Sequence, residues 1–357
     1  MDFDARRIAL LSGRPVPTWR PAGWPTCRPA LRLSRRAQAP GASPRWRQGR
    51  ANRWHMKANA GCALAEGEEA VIAFQQMTDR ACEFCGEPVP LIAMSCPHCG
   101  RPSLFPNVRE AEDAEERAAL ARRYEIAVEA AELRGATDVM RAFESAARAS
   151  KAVIARPLAE AERLASSDRA LYSTYYRLIE AEVLLPSGEK WDSMRQIADT
   201  ILFSLNAKHI RFAALSMDES APASYGECCL VLREDRIAHR ASLFEDNSAI
   251  FIADQRYNLE PGFRATWEER AMLCVAKLAE RLQVDTPSSQ FPRVLMEPGA
   301  TSAEDRFVEV HIWGTLTRRS LEKVRVAAGS RSNRPNKGRL KALRDRLAQA
   351  GVSLEVS

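Results

Sequence analysis

Four cysteines stand in two matched pairs, Cys82-Glu83-Phe84-Cys85-Gly86 and Cys96-Pro97-His98-Cys99-Gly100. Two residues between paired cysteines let the backbone N–H groups turn toward the sulfurs. A glycine directly after each pair supplies a turn where a side chain would crowd whatever the sulfurs hold. Four thiolates so spaced can take the corners of a tetrahedron, which is the geometry and soft ligand set of Zn²⁺ with no coordination position left open. His98 offers a nitrogen inside the second pair, but Cys82, Cys85, Cys96 and Cys99 already satisfy the ion. The remaining histidines, His55, His209, His239 and His311, are scattered and do not outline a second metal site.

On these residues the stretch from Cys82 to Gly100 resembles the zinc-ribbon modules. The resemblance implies a small unit folded by its metal, presenting a rigid surface to a protein or nucleic-acid partner. The chain has nine cysteines, and the five outside the ribbon, Cys27, Cys62, Cys228, Cys229 and Cys274, are odd in number and lack framework spacing. That usage suits a reducing cytoplasm rather than a secreted disulfide scaffold. No apolar run of about 18 residues appears, so no membrane span is expected.

The net charge of +6 is unevenly placed: twelve arginines against Asp2 and Asp4 give the first 55 residues +10 and leave −4 for the rest. This leader is crowded with proline from Pro15 to Pro44 and carries Trp19, Trp24, Trp46 and Trp54. No helical or strand period survives that proline density. Three readings stand side by side: a basic aromatic arm for nucleic acid, a targeting segment without an apolar stretch, and a start placed upstream of the true one at Met56 or Met77. In each, residues 1–76 are expected to be disordered.

The elements that must position any chemistry follow in order. Residues 77–106 read as the ribbon and its joint, and 107–186 as a helical region forming a hairpin or stalk. Asn107 with Glu110 has a capping-box pattern. Val108 to Leu133 is rich in the helix formers Ala, Glu and Arg, with Leu120, Tyr124, Ala127, Val128 and Ala131 as its apolar stripe. A second helix is expected to carry Val139, Phe143, Ala146, Ser150 and Val153, and a third, starting at Pro157, to bury Tyr172, Tyr175 and Tyr176. Residues 187–330 change texture: a helix over Trp191 to Leu205, strands over Ile210–Met217, Cys228–Arg233, Ile237–Phe244 and Ala249–Ala253, a helix over Thr266–Leu282, and a strand over Phe307–Leu316. Strands with helices before and between them predict an α+β domain. No P-loop or Gly-x-Gly-x-x-Gly is present. Residues 331–357 form a basic tail whose Leu340, Leu343 and Leu347 share one helical face and predict docking.

A second chemistry is suggested by Tyr225-Gly226-Glu227-Cys228-Cys229, running on to Arg240-Ala241-Ser242, and by Phe307-Val308-Glu309-Val310-His311 downstream. In order and texture these segments, within about 120 residues, resemble the ADP-ribosyltransferases, where an Arg or Ser/Thr element precedes a strand bearing an essential Glu. The resemblance implies an NAD-dependent mono-ADP-ribosyltransferase-like activity. Glu309 would be the catalytic carboxylate meeting the charge on ribose as nicotinamide leaves, Arg240 would hold an NAD phosphate or ribose, and Ser242 would support the site. Two features depart from the pattern: His311 stands where a second Glu or Gln is usual, and Ser-Thr-Ser is reduced to Arg-Ala-Ser. The competing expectation is a binding or scaffold module, with Arg318, Arg319, Lys337, Arg339 and Lys341 gathered into one positive face.

Overall fold

The computed structural model describes residues 80–82, 85–90, 93–101, 103–174, 190–255, 258–299, 301, 304–327 and 337–356. The expectations for the leader and for Tyr175 and Tyr176 lie outside the described residues.

The chain is α+β, as the sequence texture predicts. Two two-residue strands, β1 (Arg80–Ala81) and β2 (Pro88–Val89), pair antiparallel beneath the cysteines. Helix α1 (Pro106–Ala111) follows. Asn107 was expected to cap it, but Phe105 holds the cap position and Pro106 the first turn, where its missing N–H costs nothing. The Asn107 side chain instead leaves the helix for the sheet. Asp113 caps α2 (Ala114–Leu133), accepting the Glu115 N–H at 2.9 Å. Leu120, Ala127 and Ala131 form its buried stripe. Gly135, at φ +71°, ends the helix, with the Ala136 N–H returning to the Ala131 carbonyl.

The expected second helix stops sooner than its apolar stripe suggests. Helix α3 (Thr137–Arg148) ends before Ser150, and β3 (Lys151–Arg156) is a strand. Ala152, Val153, Ile154 and Ala155 are all buried, so this strand has no polar face and shows no period of two. The region 107–186 is therefore no stalk, since β3 lies inside the main sheet. Helix α4 (Leu158–Leu164) is short, and Tyr172 sits in irregular chain, buried beneath the Arg156 guanidinium.

Helix α5 (Lys190–Phe203) leads into β4 (Ile210–Ser216), then β5 (Cys228–Leu232). The expected strand over Ile237–Phe244 is half helical: α6 (Glu234–Ile237) and a further turn precede β6 (Ala241–Phe244). The expected strand at Ala249–Ala253 is helix α7 (Ser248–Asp254). Its apolar run is buried on every side, which leaves periodicity silent, and the helical form sets Phe251 edge-on to Phe244 with centroids 5.0 Å apart. The helix expected from Thr266 is an edge strand, β7 (Arg264–Thr266), and then α8 (Arg270–Leu278). Next come α9 (Phe291–Leu295), β8 (Met296–Glu297), β9 (Arg306–Phe307), β10 (Glu309–Trp313) and β11 (Leu321–Val326). The tail folds as α10 (Lys337–Ala348), with Leu343 and Leu347 fully buried, and β12 (Ser353–Val356).

Eight strands make one sheet in the order β12-β11-β5-β3-β4-β10-β6-β7. Every pairing is antiparallel except β11 with β12. One face, through Ala213, Leu215, Leu243, Val310 and Ile312, packs on α2, α3 and α8. The other, through Ile210 and Phe244, packs on α5 and α7. Alternation along β10 sends Val310 and Ile312 to the first face and Glu309 and His311 to the second.

Candidate metal centre and buried carboxylate site

The four cysteine sulfurs come together. All lie within 4.8 Å of one another, with Cys82 Sγ 3.7 Å from Cys99 Sγ and Cys85 Sγ 3.6 Å from Cys96 Sγ. A disulfide would need about 2.05 Å. A tetrahedron with metal–sulfur bonds of about 2.3 Å has edges of about 3.8 Å, which these separations match. The backbone explains how each pair reaches its place, because the two knuckles repeat the same bonds. The Gly86 N–H donates to the Cys82 carbonyl at 2.8 Å and the Gly100 N–H to the Cys96 carbonyl at 2.9 Å. Likewise Cys82 N–H reaches Glu87 O at 2.7 Å, and Cys96 N–H reaches Arg101 O at 2.9 Å. Both glycines are left-handed, at φ +75° and +69°, where an L side chain is strained. Among the described residues, Val89 and Ala93 pack beneath the sulfurs. Among the described residues this is the one cluster of ligand-type side chains close enough to share an ion.

The residues expected to form a second site do not meet in one place. Glu309 is 1% exposed, on the inner end of β10. Ser242 lies on the same sheet face but opposite His311, one pair further along, and its hydroxyl accepts from Asn107 Nδ2 at 3.1 Å. Arg240 lies beyond the strand end; its guanidinium donates to the carbonyls of Arg236 and Trp313. It makes no contact with Glu309.

Glu309 has other partners. Arg195, reaching in from α5, donates to Oε1 at 3.3 Å, and the Ser248 backbone N–H donates to Oε2 at 3.2 Å. His311 Nε2 stands 3.1 Å from the same Oε2, so the tautomer or cation with a proton there is the one that bonds. Burial alone would raise the Glu309 pKa. The His311 bond and the Arg195 charge, with a smaller contribution from Ser248, outweigh burial and hold it at about 2. Aromatic rings fix the pair: Phe203 stands edge-on to His311 at 4.7 Å, Phe212 does so at 5.4 Å, and the Arg195 guanidinium lies 4.6 Å above Phe212.

The turn between β6 and α7 completes the surroundings. All residues from Ala241 to Ile250 are buried, including Glu245, Asp246, Asn247 and Ser248. Arg123 pairs with Glu245, while Lys277 and Arg306 both pair with Asp246, at 3.3 and 2.8 Å. Asn247 Nδ2 donates to the Asp305 carbonyl at 3.2 Å, and the Asp305 carboxylate accepts from Ser224 and from Gly299 N–H. Asn247 Oδ1 and Ser248 Oγ are buried without a hydrogen-bond partner among the described residues. The Tyr225 hydroxyl is held up at about 12, chiefly by burial, in the field of Arg195, Glu309 and Asp305. Sequence spacing signals one of these residues, because Glu-x-His on a strand shares a face. Arg195 and Ser248 come from other elements and carry no local signature.

Of the cations expected to form a positive face, Arg318 and Arg319 both pair with Asp168 and Arg339 pairs with Glu162, while Lys337 and Lys341 are exposed. No helix among the described residues is long and apolar enough to cross a membrane. No protein-family model and no curated protein matches this chain, so the two constellations stand on their own geometry.

Proposed function

We propose that the chain is a zinc-ribbon protein, with Cys82, Cys85, Cys96 and Cys99 holding one structural Zn²⁺ and the ribbon acting as a binding or scaffold module. The observation that carries this reading is the sulfur tetrahedron, whose edges suit a four-thiolate zinc site. A unit this small, held by two short strands of two residues each, gains its fold from the metal. Engagement of Arg318, Arg319 and Arg339 in ion pairs supports a protein partner over a phosphate backbone. Elemental analysis of protein purified without added metal should find one zinc per chain, and Cys96→Ser should lose it. An unchanged zinc content in that variant overturns the reading.

A second reading, the NAD-dependent mono-ADP-ribosyltransferase-like enzyme, is favoured by one observation: a fully buried Glu309 kept ionised by fixed partners. A preorganised carboxylate is what a developing ribosyl cation requires. The N-glycosidic bond would break with its electron pair leaving on nicotinamide, and an acceptor nucleophile would bond to ribose and release its proton. In this reading Arg195, not Arg240, lies beside the carboxylate, and Asn247 Oδ1 and Ser248 Oγ are the unengaged polar atoms nearby. Incubation with labelled NAD should release nicotinamide in wild type and in Arg240→Ala, and not in Glu309→Ala. Release that persists in Glu309→Ala, or no release from the wild type, removes the enzyme.

A further inference from the structure

Asn107 is 3% exposed and follows the last ribbon cysteine by eight positions. Its Nδ2 reaches three acceptors, two on the adjacent strands β10 and β6 and one just before β6: His311 O at 2.9 Å, Ser242 Oγ at 3.1 Å and Arg240 O at 3.3 Å. Two of these are carbonyls, which accept and cannot donate, so the amide must turn Nδ2 and not Oδ1 toward them. Its Oδ1, by contrast, is buried with no hydrogen-bond partner among the described residues. An apolar side chain of similar volume would pack there without leaving an acceptor unmade. The amide is therefore explained by what Nδ2 ties together, not by packing of α1.

Helix α1 is tied to the ribbon as well. Arg109, two residues along and also buried, donates from its guanidinium to Pro90 O at 3.2 Å. Ser103 N–H donates to Met94 O at 3.0 Å, closing the joint between the second knuckle and the helix. Phe105 lies against His239 and Trp313, with ring centroids 5.9 and 6.3 Å away, at the far end of β10. One short helix thus touches the ribbon on one side and, on the other, β10, which carries the Glu309–His311 pair, and its neighbour β6.

We propose that Asn107 is the positioning residue through which the metal-bound ribbon holds β6 and β10 in register around Glu309 and His311. This rests on the zinc assignment above. With the ribbon folded on its metal, Pro90 O and Met94 O are fixed, α1 is pinned, and Asn107 clamps the carbonyl of His311 and the hydroxyl of Ser242. When the ribbon loses its metal, those two anchors lose their fixed geometry and the clamp loosens first at the β6–β10 ladder.

Hydrogen exchange read by mass spectrometry on the full chain tests this, before and after chelation, with metal content measured in each sample. In wild type, metal removal should speed exchange of the β6 and β10 peptides by about tenfold, while β5 and β11 peptides hold their rates. In Asn107→Leu, which keeps the volume, β6 and β10 should already exchange fast with metal bound and should not respond to the chelator. Leu343→Ala serves as a destabilised control that should retain the wild-type response. Loss of metal with no change at β6 and β10 in wild type overturns the coupling and leaves the zinc reading intact. So does a uniform acceleration of the whole sheet, or an Asn107→Leu protein that responds as wild type does. Purified protein with no metal overturns both. Should Asn107→Leu fail to fold, the wild-type comparison decides alone.

Discussion

His311 Nε2 lies 3.1 Å from Glu309 Oε2, and the two residues are neighbours on one face of one strand, both almost wholly buried. Removing His311 leaves the buried Glu309 with Arg195 and the Ser248 N–H but without its closest partner. His311→Leu should lower unfolding free energy by roughly 3 kcal/mol, and the double variant with Glu309→Leu should recover part of that loss. Urea denaturation of the four-member cycle measures it. Additive losses would show that the two side chains do not interact.

The low Glu309 pKa sets a direction with pH. Because it is held at about 2 in the folded chain, against 4.5 ordinarily, its contribution is complete above the ordinary value and is lost as pH falls through about 2. Glu309→Gln should therefore lose less stability than wild type between about pH 5 and pH 2. Comparing the two proteins cancels the acid sensitivity of the thiolates. Parallel pH profiles would contradict the assignment.

Thiol labelling under native conditions should divide the cysteines by cause. Cys228 and Cys274 are fully buried, and burial pushes their thiols up to about 12, so they should stay unlabelled until the chain unfolds. Cys85 and Cys99 are exposed and should be protected by metal alone, while Cys82 and Cys96 are buried in the ribbon that the metal holds folded. Chelation should raise the count of reactive thiols by four. A count unaltered by chelation would show that no metal guards them.

Gly226 should not tolerate a side chain. Its φ is +142°, and a Cβ there would lie 2.3 Å from the Arg156 carbonyl carbon. The obstacle is backbone of the central strand, which has nowhere to move. Gly226→Ala should cost more than about 3 kcal/mol. Gly135→Ala meets nothing within 4 Å and should cost only its left-handed strain. Melting curves of the two variants should separate clearly, and overlapping curves would refute the contact.

The parts legible in the sequence were those whose signal is local. Two Cys-x-x-Cys-Gly repeats give the sulfur cluster because each knuckle makes the same short-range bonds. Leu120, Ala127 and Ala131 give α2 because a half-exposed helix shows its period. Elements buried on both sides were misread: Lys151–Arg156 continues a helical stripe by spacing alone, and Ala249–Ala253 reads as strand. Arg195 and Asn107 were illegible for another reason. Each acts on residues more than a hundred positions away, and an arginine on a helix or an asparagine after a proline has an ordinary local explanation.

The place of β3 in the sheet has a consequence for how the chain matures. Its neighbours are β4 and β5, so Val153 finds its two partners only when Ala214 and Val231 have been made. During synthesis this apolar strand emerges with both edges bare, and local pairing cannot protect it. Such non-local closure is slow and exposes sticky backbone while it waits. A ribosome stalled before β5 would release a chain whose central strand has one edge permanently open. The same fragment would be ready to recruit a strand from another copy of itself.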